Sequence, residues 1–210
     1  MFCFGKNEYS QCGGDLEVYS AFITELKPVE DLPPLKQISA GMEHSIFYTR
    51  NSKLLVRGNR YPFLPKKKEK NHEFGRNHYR EILEDPEINQ VCCLRDGTMI
   101  LKEDGELIFN GKLDYKSLGY NRNKFNNGGS IGKFPEIVKI YGGGTFGVYE
   151  NNREEFFLFG TLAGEVFVFQ EPLKLASKDD RVRQVSCGLD HLVILKENNQ
   201  LWGMGSNTLK

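Results

Sequence analysis

The 210-residue sequence predicts an all-β fold, a β-propeller of about four blades, each a four-stranded antiparallel sheet. Three observations carry this reading. The chain repeats itself about four times, each repeat contains two short apolar runs around a polar turn, and sustained helical periodicity is absent apart from a short turn at Tyr79–Leu83.

The repeats are the firmest of the three. Gln37–Asn59, Gln90–Lys112, Lys139–Thr161 and Gln184–Asn207 align almost without gaps, with starts 53, 49 and 45 residues apart. The glycines near their ends, Gly58, Gly111, Gly160 and Gly205, keep the same intervals, and Gly5 ends a fifth strand of this kind. Each unit opens on a pair such as Gln90-Val91, passes a Gly or Cys turn, and runs into apolar residues such as Thr98–Leu101 or His191–Leu195. Asp104-Gly105 and Asn198-Asn199 suit tight two-residue hairpin connections, where φ is positive. The units 5–58, 59–111, 112–160 and 161–205 then make one domain over 1–210. Gly41, Gly142 and Gly188 let inner strands crowd the axis. Segments 61–87, 113–136 and 162–181 supply outer strands and connecting loops.

Known propellers have about four to eight blades. Four hairpin starts against five glycine-ended strands put this chain at the low end with an incomplete unit, so the expectation is a partial or small propeller: the front of a longer chain, a ring completed by a second copy, or an open arc with covered edges.

These units resemble the regulator of chromosome condensation repeat family, whose pattern runs roughly Q-V-x-x-G-x-x-H, an apolar strand, D-G, another apolar strand, W-G-x-N, then Y-G-Q-L-G. QVSCGLDHLVILKENNQLWGMGSN at Gln184–Asn207 carries it most fully, and QISAGMEH at Gln37–His44 opens the same way. Phe4–Gly13, FGKNEYSQCG, is similar to the W-G-x-N-x-x-G-Q-L-G piece that follows in the family. The two middle units depart from the pattern, with Gly97 and Phe146 in place of histidine.

Composition narrows the function. Lys and Arg number 28 against 28 Asp and Glu, so a surface that binds nucleic acid or anionic lipid throughout is disfavoured. The longest apolar stretch, Phe156–Phe169, is broken by Thr161, two glycines and Glu165, too short for a bilayer span of about 20 residues. The start, MFCFGKNEYS, lacks a secretory pattern, and the five cysteines are odd in number with no C-x-x-C pair. The expected setting is intracellular, cytoplasmic or nuclear, with the cysteines acting as small buried hydrophobes.

Several chemical motifs fail on inspection. Gly142–Gly147 fits G-x-G-x-x-G but is followed by a strand-like run rather than a helix, and Gly128–Lys133 has Phe134 where a phosphate loop needs a hydroxyl. His72, His78, Cys92 and Cys93 match no common zinc spacing. The neighbours Asp179-Asp180 and Glu154-Glu155 point to opposite faces of a strand. No nucleophile arrangement is legible, and neither catalysis nor a cofactor or metal is expected.

Function therefore rests on loops presented by a rigid ring. The expectation is a protein-interaction module that binds a protein partner through face loops. The family resemblance adds an alternative, exchange activity on a Ran-type small GTPase, for which Asp190 and its counterpart Glu43 match an acidic residue on the GTPase-facing side. An acid there could compete for the groups that hold nucleotide phosphates and magnesium. Beside them, His44 and His191 are candidate partner-binding residues that could equally satisfy backbone groups between blades. A third reading is chromatin or nucleic-acid binding through the 61–80 loop, where Lys66, Lys67, Lys68, Lys70, Arg76 and Arg80 against Glu69 and Glu73 leave an excess of four positive charges.

Overall fold

The structure, a computed structural model, describes residues 2–8, 11–12, 22–29, 32–58, 79–111 and 129–207. Its antiparallel sheets follow one another along the chain as the blades of a propeller. A two-stranded ribbon, β1 (Phe2–Lys6) and β2 (Phe22–Pro28), comes first. Blade 1 follows in spatial order: β3 (Leu35–Ala40), β4 (His44–Thr49), β5 (Lys53–Gly58) and β6 (Arg80–Glu84). Blade 2 repeats the meander with β7 (Ile88–Leu94), β8 (Gly97–Lys102), β9 (Glu106–Gly111) and β10 (Gly129–Lys133). Blade 3 comprises β11 (Ile137–Gly142), β12 (Phe146–Asn151) and β13 (Phe156–Leu162), with β14 (Glu165–Phe167) and β15 (Leu173–Ala176) both pairing with β13. Blade 4 has three described strands: β16 (Val182–Cys187), β17 (His191–Lys196) and β18 (Leu201–Gly205).

The sequence units end at the third strand of each sheet. A unit boundary at Gly58 therefore separates β5 from its own partner β6. The stretch read as a helical turn at Tyr79–Leu83 is largely strand, because β6 completes the open edge of β5, with Leu83 opposite Leu54. The hairpin turns also differ from the two-residue form. Ser52, Gly105, Glu154 and Asn199 all have positive φ and all donate a backbone hydrogen bond to the residue three before, at 3.0–3.1 Å. This is a longer loop ending in a left-handed residue, and it recurs in all four blades.

The inner strands β3, β7, β11 and β16 lie beside one another in succession. Each has a register irregularity at the same point, just before Gln37, Gln90, Lys139 or Gln184. Burial on both faces explains why β4 and β8 read as nearly continuous apolar runs.

The core sits between blades. Ile46, Tyr48, Leu54 and Val56 of blade 1 pack with Ile88, Val91, Cys93 and Ile100 of blade 2. Leu94, Met99, Leu107 and Phe109 of blade 2 meet Ile137, Ile140, Phe159 and Phe169 of blade 3. Phe146, Val148, Phe156 and Leu158 of blade 3 meet Val185, Leu192 and Ile194 of blade 4. Cys93 is buried in this interior and Cys187 is partly so. Burial pushes both thiols up to about 12, so they sit there as neutral groups. Among the described residues, no helix is long and apolar enough to cross a membrane.

Candidate functional site

The turns joining each inner strand to the next form a rim at one end of the blades. They are Gly41–Glu43, Arg95–Asp96, Gly143–Thr145 and Gly188–Asp190. Backbone hydrogen bonds link them in series. Met42 N–H donates to Arg95 O at 3.4 Å, Arg95 N–H to Gly143 O and Gly144 O at 3.2 and 3.1 Å, and Gly144 N–H to Leu189 O at 3.0 Å. The third link needs a glycine, since a Cβ on Gly144 would overlap Leu189 O.

This rim places Glu43 and Asp190 at equivalent points of one surface, on the first and last of four linked turns. Asp190 is exposed and Glu43 half-buried. Each is held from behind by the third strand of its blade. Gly58 and Gly205 have φ of +105° and +131° and pass against Glu43 O and Asp190 O, where no Cβ fits. Ser206 N–H donates to Asp190 O at 2.8 Å. The backbone of Asp190 is thereby fixed while its carboxylate faces outward. Between them lie Arg95 and Asp96, 3.5 Å apart. Met42 and Leu189 are about half exposed, at 49% and 51%. The rim thus sets two half-exposed apolar side chains and an arginine among three acids, and methionine and arginine are residue types enriched at protein interfaces. Met42, Arg95, Asp96 and Leu189 carry no repeat-pattern signal, and the sequence reading did not single them out.

The two histidines separate. His44 is 3% exposed, and its Nε2 lies 3.2 Å from Thr98 Oγ1 in blade 2. Burial lowers its pKa, against smaller opposing effects of a Gly97 backbone hydrogen bond and the Asp96 and Glu43 charges. His44 is thus turned into the blade contact. His191 has the same local sequence and is exposed. Both rings rest on the glycine that opens their own turn. A Cβ on Gly41 would come 2.5 Å from His44 Cε1, and Gly188 is equally crowded by His191. Gly188 therefore makes room for the ring of its own unit, whereas Gly41 and Gly142 also abut the backbone of the neighbouring inner strand β7, at Leu94 O and Cys93 O, as the crowding of inner strands requires.

Lys66, Lys67 and Lys68 lie outside the described residues, as do His72 and His78. Among the described residues, no group of three or more His, Cys, Asp or Glu could hold a metal ion. A shallow cavity of about 320 Å³ is lined by Asp179, Asp180, Arg181, Glu197 and Asn198. Its most constrained acid, Asp180, is tied to Lys196 Nζ at 2.7 Å and accepts from Ser177, which hold its carboxyl near 2.

The regulator of chromosome condensation (RCC1) repeat profile matches residues 182–209, the blade that carries Asp190 and His191. In solved structures the same blade arrangement recurs in Prp20p from Saccharomyces cerevisiae, at 17% identity and TM-score 0.73, over 98% of this chain and 52% of that one. The fold is thus a β-propeller of the kind seen in RCC1-type structures, with an RCC1 repeat recognisable at residues 182–209. Yeast RCC1 (Prp20) bound to Kap60 is similar at 17% identity and TM-score 0.74, over 99% and 52% of the two chains. Human WBSCR16 is similar at 19% identity and TM-score 0.71, over 98% and 57%. This RCC1-like chain therefore spans about half the length of the propellers it resembles. No curated protein sequence matches it.

Proposed function

We propose that this chain is a non-enzymatic, intracellular protein-interaction module that binds a protein partner through the turn rim. The observation that carries the reading is the hydrogen-bonded series of turns. It presents Glu43, Asp190, Met42 and Leu189 on backbone that is fixed before any partner arrives, which lowers the ordering cost of binding. Prp20p, similar in fold, is described with binding properties to Gsp1p and histones, and yeast RCC1 with Kap60 bound. Protein partners of this kind fit an acidic and apolar rim.

The test is affinity capture with quantitative mass spectrometry, comparing wild type with Asp190→Lys, Met42→Glu and a control substitution away from the rim, Glu171→Lys. Partners retained by wild type and control but lost by both rim variants support the reading. Unchanged capture by the rim variants refutes it. The exposed carboxylate of Asp190 favours a second reading, nucleotide exchange on a Ran-type GTPase. Catalytic acceleration of GDP release that Asp190→Asn abolishes would establish it.

A further inference from the structure

The five cysteines divide by position. Cys92, Cys93 and Cys187 lie on the inner strands β7 and β16, where burial keeps their thiols neutral. Cys3 and Cys12 belong to the N-terminal ribbon instead, and both are partly exposed. Cys3 sits in β1, and Cys12 in the turn that follows that strand.

That turn carries the second thiol back onto the first. Cys12 N–H donates to Asn7 Oδ1 at 3.0 Å, and the neighbouring Gln11 is buried, which anchors the turn. The Cys12 thiol then lies along the backbone of β1, 3.4 Å from Lys6 O and 3.7 Å from Phe4 O, and it hydrogen-bonds the Cys3 thiol. These contacts are all made within residues 3–12, so the pairing is local and independent of any other blade. Disulfides form only between cysteines held close together, and the fold holds these two in side-chain contact.

We propose that Cys3 and Cys12 form a reversible oxidative modification site, a dithiol that a small-molecule disulfide such as glutathione disulfide converts into an intramolecular disulfide. One protein thiolate attacks glutathione disulfide, expelling one glutathione thiolate and leaving a mixed disulfide on the protein. The second protein thiolate attacks that sulfur and expels the other glutathione. Two protein thiols are oxidised, one glutathione disulfide is reduced to two glutathiones, and the two protons pass to them. The second step is intramolecular, so the contact between the thiols gives it a high effective concentration. Burial, and then the Cys3 thiol beside it, push the Cys12 thiol up from its ordinary value, so the pair rests protonated at neutral pH and exchanges slowly. Its readout is therefore an equilibrium, set by the glutathione poise, rather than a fast response to oxidant.

The test equilibrates the native protein, and the same chain unfolded in urea, with glutathione buffers of graded oxidised-to-reduced ratio, then maps disulfides by peptide mass spectrometry after acid quenching. A Cys3–Cys12 disulfide whose formation constant is at least about tenfold larger in the native protein than in urea supports the proposal. Cys3→Ser and Cys12→Ser, each keeping one thiol of the pair, should stop at the glutathione adduct. Equal formation constants in the native and unfolded chains overturn the proposal, since the fold would then contribute nothing to the pairing. It is equally overturned by a glutathione adduct that persists on the native wild-type pair, by oxidation of Cys92, Cys93 or Cys187 ahead of it, or by serine variants that take up no glutathione at the remaining thiol.

Discussion

His44 and His191 occupy the same repeat position, so replacing each by alanine isolates what a neighbouring blade contributes. His44→Ala removes a ring that is 3% exposed and takes from the fully inaccessible hydroxyl of Thr98 its partner across the blade contact, leaving it the Cys93 thiol. A lost hydrogen bond costs about 0.5–1.5 kcal/mol. Adding the vacated ring volume, a loss of about 2–4 kcal/mol is expected. For a chain of this size that lowers Tm by about 4–16 °C. His191→Ala removes an exposed ring and should change stability by less than about 0.5 kcal/mol. The assay is urea or thermal unfolding followed by circular dichroism, extended to the cycle with Thr98→Val. In the His44→Ala background, Thr98→Val should cost about 1 kcal/mol less than it does in the wild type, because its hydrogen bond to His44 is already gone. Equal losses for the two histidines, or strictly additive effects in the cycle, would refute the reasoning.

Two other outcomes follow from the same contacts. His44 has a folded-state pKa lowered from 6.5, so the unfolded chain takes up this proton first. Stability from His44 is complete above pH 6.5 and declines as pH falls below it, by at most about 1.4 kcal/mol per pH unit, and His44→Gln should flatten that stretch of a pH series of unfolding curves. Gly144→Ala should force the third rim link apart, since its Cβ meets backbone rather than a yielding side chain. A loss of about 1–3 kcal/mol is expected, with faster amide exchange concentrated in β16–β18, and exchange unchanged there would show that the link carries no stability.

The blades were legible because their period is written in residues that the fold cannot vary freely. Gly58, Gly111, Gly160 and Gly205 all adopt positive φ, and apolar runs such as Thr98–Leu101 are buried on both faces. The outer strands were legible only as far as their segments, 61–87, 113–136 and 162–181, which hold β6, β10, β14 and β15, because they pair along one edge only and follow the loop that precedes them. In blade 3 that place is shared by β14 and β15. At the rim, aligning the units was enough to pair Glu43 with Asp190. The links through Arg95 and Gly144 were invisible because they are made by backbone atoms in the two units that depart from the repeat pattern. The opposite burial of His44 and His191 could not be read locally either. It depends on the next blade, a property of position in the array rather than of the surrounding sequence.

Among the described residues, the placement of each hydrophobic cluster between blades also bears on how the chain acquires its structure. A blade alone has no interior, so the smallest piece able to exclude water is a pair of consecutive blades. Three such pairs exist here, each joining residues close in sequence. Any of them can serve as the nucleus, and growth from it adds one sheet at a time against a surface already formed. A defect in an outer blade then delays only its own addition, whereas one at β7–β11 removes two of the three nuclei at once.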